Sequence, residues 1–372
     1  MEQKAEQPRR AAVALVAAAL LVLSAVLLWP VSGGQAEQST PAAGPAVLEL
    51  VRKETKKTAA GKVGSTVIPL GRTVGIKLFS DGVLVVGLSD IQTRGTTVSP
   101  AKDMGLKVGD VITHVNDCEV DTIEQMQSAI QTLAGQTMTL KVMRQDKQLQ
   151  LCGAAVCSQQ GTYQLGTWIR DSMAGIGTMT FYDPSSDIFG ALGHGVNDVD
   201  TAQLMTMQSG SVMYSEVTDV KKGLSGAPGE LHGSFDLQRD MGQLYANTQA
   251  GIFGTLSDES ILGSARPMEI ARRSQVKTGS ATILSNIAGD KVKEYQVEIM
   301  HVYPTVEGEM RNMMIKVTDP ELLEQTGGIV QGMSGSPILQ NGRLVGAVTH
   351  VLVNDPTRGY GIFIENMLDA AG

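Results

Sequence analysis

Cysteine is scarce in this sequence: Cys118, Cys152 and Cys157 are the only three in 372 residues. Three thiols are too few for a disulfide framework, and their spacing holds no paired C-x-x-C, which excludes a zinc site of that kind. Only a Cys152–Cys157 bridge stays open. No metal and no cofactor is expected. Basic charge is also in short supply, with 30 Lys and Arg against 38 Asp and Glu, a net charge of -8 and no long block of one sign. A nucleic-acid binder needs a basic face, so that class is excluded. Aromatics are 4% and charged residues 18% of the chain, and neither a long helical repeat nor an internal repeat appears. Glycine, by contrast, reaches 42 residues, about 11% against a usual ~7%, which favours many turns and a β-rich chain. At 42% hydrophobic residues the chain can bury a proper core, and its length suggests two domains at roughly 150 residues each.

One long apolar run breaks this pattern. After Lys4, Arg9 and Arg10, residues Ala11 to Trp29 carry no charge and end at Pro30. Nineteen residues rise about 28 Å as a helix, close to the ~30 Å hydrocarbon core, whereas the apolar part of a signal peptide runs about 7–15 residues. Residues 1–31 therefore read as a cytoplasmic stub and an uncleaved membrane anchor, with the rest of the chain outside the cytoplasm. Residues 32–63 are rich in Ala, Gly, Ser, Thr, Gln and Lys and read as a flexible linker.

From residue 64 the text turns to short apolar runs, Val67 to Leu70, Val74 to Phe79, Val83 to Leu88 and Val111 to Val115, which predict strands. One helix stands out. Thr122 and Gln125 form a capping box ahead of Ile123, Met126, Ile130 and Leu133, and Gly135 closes it. The runs Thr73-Val74-Gly75-Ile76, Asp81 to Val85, Ser99-Pro100-Ala101 and Gly105 to Ile112 resemble a bacterial PDZ domain. That resemblance covers 64–152 and implies that the backbone of a loop at Thr73, Val74, Gly75 and Ile76 holds the terminal carboxylate of a peptide. Residues 153–372 continue in short, glycine-punctuated strands, for which a sandwich or paired barrels is expected.

The sharpest chemical signal is Gln331-Gly332-Met333-Ser334-Gly335-Ser336-Pro337, followed by the Asn341-Gly342 turn and another apolar run. Glycines on both sides let the backbone bend so that one hydroxyl projects while the amides of Gly332 and Ser334 point at a developing oxyanion. The pattern resembles the G-x-S-G-x-P nucleophile turn of chymotrypsin-like peptidases. Ser334 is then the nucleophile, Ser336 is structural and the domain is a double β-barrel. Ser225, in Gly223-Leu224-Ser225-Gly226-Ala227-Pro228, fits the same pattern but lacks the apolar hairpin after it, and reads as a turn. Of five histidines, His194 in Gly193-His194-Gly195 has the roomiest surroundings and is the preferred base, with His350 as its rival. Asp319 is the preferred third member, although Thr318 to Glu321 also makes a capping box; Asp198, Asp187 and Asp183 are the alternatives. Six residues before Ser334 stands Gly328, not the acid with which trypsin-like enzymes select basic side chains.

Anchor, PDZ-like segment, Gly193-His194-Gly195 and Gly332 to Pro337 together resemble the stage IV sporulation protein B family of endospore-forming bacteria over nearly the whole chain. The resemblance implies a serine endopeptidase with catalytic Ser334, His194 and Asp319. It also implies self-cleavage, and a membrane-associated protein substrate, a regulator of an intramembrane protease complex, in the space between forespore and mother-cell membranes. The competing expectation is a PDZ adaptor whose peptidase domain is dead.

Overall fold

The computed structural model describes residues 65–372 apart from 146 and 304–309, and apart from the side chains of 237 and 238. The expected anchor and linker lie outside the described residues. Among the described residues no helix is long and apolar enough to cross a membrane.

The fold is mainly β, as expected, and its strands close two six-stranded rings. The first ring runs through β1 (Thr66–Leu88), β5 (Thr167–Asp183), β6 (Ile188–Ala191), β9 (Gly251–Leu256), β8 (Glu230–Thr248) and β7 (Ser209–Lys221), which pairs back onto β1. The second ring runs through β10 (Gly279–Ser285), β11 (Lys293–Val302), β12 (Met313–Val317), β15 (Asp355–Phe363), β14 (Arg343–Leu352) and β13 (Pro337–Gln340), which pairs with β10. Each ring wraps its own core, Val74, Leu78, Met179, Phe189 and Ile252 in one and Tyr295, Ile299, Ile315, Ile338 and Val348 in the other. Phe181, Phe253, Ala347, Ile362 and Ile364 fill a further core, which the C-terminal helix (Ile364–Ala371) shares through Met367.

A fourth core belongs to the PDZ module. Val83, Ile112, Met126, Ile130, Leu140 and Leu165 pack together beneath the sheet formed by the second half of β1 with β2 (Val111–Val115), β3 (Thr137–Arg144) and β4 (Lys147–Ala154). Its helix α1 (Ile123–Leu133) starts at the expected capping box, with the Thr122 hydroxyl accepting from the Gln125 N–H, and ends at Ala134 in the left-handed region.

Two expectations need correction. The three runs between Val67 and Leu88 form one strand, and its first half belongs to the peptidase barrel. The PDZ core, spanning residues 83–169, is thus inserted into that barrel behind its first strand, so a division at residues 64 and 152 cuts through both units. Nor is Thr73–Ile76 a carboxylate-binding loop. Those residues lie mid-strand with β5 on one edge and β7 on the other, and Thr73, Val74 and Ile76 are buried. With both edges paired, no backbone donor there is free for a ligand. Gly75 is small for a packing reason: a Cβ would stand 2.7 Å from the Phe235 ring and 3.3 Å from the end of Met213. Gly75→Trp should therefore overpack the barrel, lowering stability by about 1–3 kcal/mol or more. A thermal melt checks this, and an unchanged midpoint would contradict the placement.

Candidate active site

The Ser334 turn sits between the barrels, at the start of β13, and the first barrel holds it in place. From β5, the Thr178 N–H donates to the Ser334 carbonyl at 3.0 Å, and the Thr178 and Thr180 hydroxyls donate to the Gly332 and Gly335 carbonyls at 2.7 and 2.8 Å. The second barrel contributes the Val348 carbonyl, which accepts the Gly335 N–H at 2.7 Å. Gly335 has φ +97°, and a Cβ there would collide with the Thr178 carbonyl and the Leu192 amide. Only glycine fits so close an approach. Gly332 is also left-handed at φ +96°. Ser336 is fully buried with its hydroxyl on Ser285 at 3.2 Å, in keeping with a structural role.

His194 follows β6 at the facing edge of the first barrel. A Cβ on Gly193, at φ +68°, would meet Ile362 at 3.0 Å and Thr349 at 3.1 Å, and one on Gly195 would meet the Thr248 carbonyl at 2.6 Å. Gly193 lets the histidine loop press against β14 and β15 at Thr349 and Ile362, and Gly195 lets it pass close to Thr248. His194 and Ser334 line one cavity of about 530 Å³. Its wall is largely apolar, with Ile76, Leu192, Ile329, Val330 and Val351, and among the described residues no Asp, Glu, Lys or Arg lines it. The rival His350 is there too, its ring centroid 4.9 Å from that of His194.

The Ser334 hydroxyl donates to the Thr349 carbonyl at 2.6 Å rather than to His194. His194 Nδ1 lies 2.8 Å from the Gly195 carbonyl, which fits an Nδ1–H donor and leaves Nε2 as the basic nitrogen. Burial holds the His194 pKa below the usual 6.5, against the pull of the Gly195 carbonyl, so the ring is neutral at pH 7. Burial of the His350 ring, with the His194 ring and the Arg311 guanidinium nearby, pushes its pKa down to about 4. The N–H groups of Gly332 and Ser334 donate to no acceptor among the described residues, which leaves both free for an oxyanion.

The expected acid is not brought to this site. Asp319 caps the helix Pro320–Thr326: one carboxylate oxygen accepts the Leu322 N–H at 3.0 Å, the other the Gln296 N–H at 3.2 Å, and Asp319 does not line the cavity. One oxygen thus caps the helix and the other holds strand β11, with Asp319 itself, rather than Thr318 of the expected capping box, as the N-cap. The alternatives are committed elsewhere: Asp198 to Arg170 and the Thr201 turn, Asp187 to the Tyr182 hydroxyl, and Asp183 to Ser185 and Ser186. Ser225 donates to the Asn354 carbonyl at 2.8 Å, as a turn residue would. All three cysteines are free. Thr178, which sequence reasoning missed, carries no motif; only the close glycine approach at Gly335 hinted that another backbone must lie against the turn.

The sequence profile of the SpoIVB peptidase S55 family matches residues 161–368, and that of a PDZ domain matches 93–144. The chain belongs to the SpoIVB peptidase S55 family. It is a serine peptidase. Similar solved structures include the active form of the Rv3671c protease from M. tuberculosis, 16% identical over 55% of this chain and 75% of that one at a TM-score of 0.30. The HtrA-type protease AlgW with a decapeptide is 9% identical over 85% of this chain and 66% of that one, at 0.32. No curated protein matches the chain.

Two outcomes follow from the geometry. Thr178→Val removes the donor that holds the Gly332 carbonyl; it should cost about 0.5–1.5 kcal/mol of stability and, by displacing the turn, roughly tenfold in kcat. A full-rate enzyme would mean that the turn holds itself. A base must be neutral to accept a proton, so the acid limb of kcat/KM should have its midpoint below pH 6.5, and a midpoint above 6.5 would contradict the burial of His194. In the same direction, the unfolded chain protonates His350 near pH 6.5 and the folded chain only near 4, so stability should fall as pH drops through that window. His350→Gln should flatten that fall in thermal melts.

Proposed function

We propose that the chain is a membrane-anchored endopeptidase of sporulation signalling, in which Ser334 attacks the peptide carbonyl, His194 takes its proton and the Gly332 and Ser334 amides hold the oxyanion. The observation that carries this reading is the meeting of Ser334, a neutral His194 and two free amides in one apolar cavity. The Ser334 hydroxyl must first swing from the Thr349 carbonyl to His194, a tightening that catalytic contacts commonly make only when substrate binds. In this reading the Gly195 carbonyl, not Asp319, orients the imidazole. An uncharged cavity wall favours apolar substrate side chains, in keeping with Gly328.

By family resemblance the substrates are two: the chain itself, cut within residues 35–65, and a membrane-associated regulator of an intramembrane protease complex between the forespore and mother-cell membranes. An extended segment can enter a cleft without unfolding a domain. A second reading, a PDZ adaptor with a dead peptidase domain, draws support from the Ser334–Thr349 bond and from the lack of a carboxylate among the described residues that line the cavity.

Kinetics separate these readings. Ser334→Ala and His194→Ala should each lose several orders of magnitude in hydrolysis of an apolar peptide, and together lose no more than either alone. Asp319→Asn, which retains a good cap, should stay within about tenfold of the unaltered chain. A fall of about 10⁴-fold would make it the triad acid after all. The purified chain should shorten at residues 35–65 while Ser334→Ala stays whole; hydrolysis that survives in Ser334→Ala would favour the adaptor and a contaminating enzyme.

A further inference from the structure

The Gly195 carbonyl, 2.8 Å from His194 Nδ1, is one side of a planar peptide unit whose other side is the Val196 N–H. In a trans unit the two groups point in opposite directions, and no peptide bond among the described residues is cis. Whatever grips the Val196 N–H therefore aims the carbonyl at the ring. That grip comes from Asn247, whose Oδ1 accepts the Val196 N–H at 2.9 Å.

The other half of the Asn247 amide is used as fully. Its Nδ2 donates to the Val196 carbonyl at 3.0 Å and to the Met205 carbonyl at 2.9 Å. The Met205 N–H also donates to the Val196 carbonyl at 3.0 Å, and Asn197 bridges to Leu204, so residues 196–205 form a loop closed at its neck. Asn247 sits at that neck. Its own place is set by the first barrel: it pairs with Ile252 near the end of β8, and the Thr248 hydroxyl locks the turn into β9 through the Gly251 carbonyl and the Ala250 N–H at 3.0 and 3.2 Å. Asn247 does not itself line the cavity that holds His194 and Ser334.

We propose that Asn247 is the positioning residue of the base: its side-chain amide aims the Gly195–Val196 peptide unit and, through the Gly195 carbonyl, holds His194 as the Nδ1–H tautomer with Nε2 left to accept the Ser334 proton. The proposal rests on the reading of His194 as the base. A ring nitrogen's tautomer is set by the hydrogen bond that the other nitrogen makes, so control of one carbonyl is control of the base. A carboxylate could not replace this amide, because two of its three partners are carbonyls, which need donors. Without the clamp, the absence of a Cβ at Gly195 leaves the peptide unit free to turn away.

The test reads the ring directly, by NMR of the Ser334→Ala chain carrying ¹⁵N-histidine at pH 7, with the His194 signal identified by its loss in His194→Gln. The ring should be the Nδ1–H tautomer, and Asn247→Ala should reduce that share about twofold or more in favour of Nε2–H, with a melt reporting that the fold survives. A ring already in the other tautomer, or one that stays wholly Nδ1–H in the folded variant, overturns the proposal. Asn247→Asp keeps the size and the acceptor but loses both donors; it should give the same mixture, and it carries the test if the alanine variant does not fold. With Ser334 present, Asn247→Ala should lower kcat roughly tenfold or more while KM stays within about twofold, since the side chain touches no substrate. A raised KM at unchanged kcat overturns it. Because the tautomer needs no catalysis, the two readings fail separately. A ring released by Asn247→Ala in a chain that hydrolyses nothing keeps the clamp and removes the peptidase mechanism. Hydrolysis at full kcat by Asn247→Ala does the reverse.

Discussion

The site depends on one close approach, that of Gly335 to Thr178. A turn with no side chain at φ +97° lies against the backbone of β5, and Thr178 fixes the Ser334 and Gly332 carbonyls through its N–H and its hydroxyl. Gly332 and Ser334 line the cavity, and their N–H groups donate to no acceptor among the described residues. From the other side, Gly193 lets the His194 loop press on Thr349 and Ile362 of the second barrel. Ser334 and His194 thus come from different rings and meet in one cavity.

Seen from this seam, the insertion of the PDZ module has a structural consequence. The strand that carries Thr178 is the same strand that enters the PDZ sheet at residues 167–170, and β1 runs alongside it through both units. The same strand thus contributes to the PDZ sheet and holds the Ser334 turn through Thr178.

Much of this was legible in the residues. Glycine punctuation and short apolar runs predict a mainly β chain, the Thr122–Gln125 box marks the start of α1 to the residue, and the glycines flanking Ser334 and His194 single out two residues that the fold brings to one cavity. What failed was long-range pairing. Nothing local distinguishes a strand paired on both edges from a glycine loop, so Thr73–Ile76 was misread, and Gly75 proved to be small because of Phe235, which lies 160 positions later. Asp319 shows the opposite limit, since its local capping signal was correct and the expected distant partner was absent. Insertion of one unit within another leaves no compositional mark, which is why the boundary at residue 64 was drawn ahead of a barrel strand.

Reaction of the folded chain with a fluorophosphonate, mapped by mass spectrometry, tests the central claim that the barrel seam arms Ser334 through His194. The predicted result is a single label on Ser334 that disappears in His194→Ala. A label on Ser225, or equal labelling of Ser334 with and without His194, would contradict it.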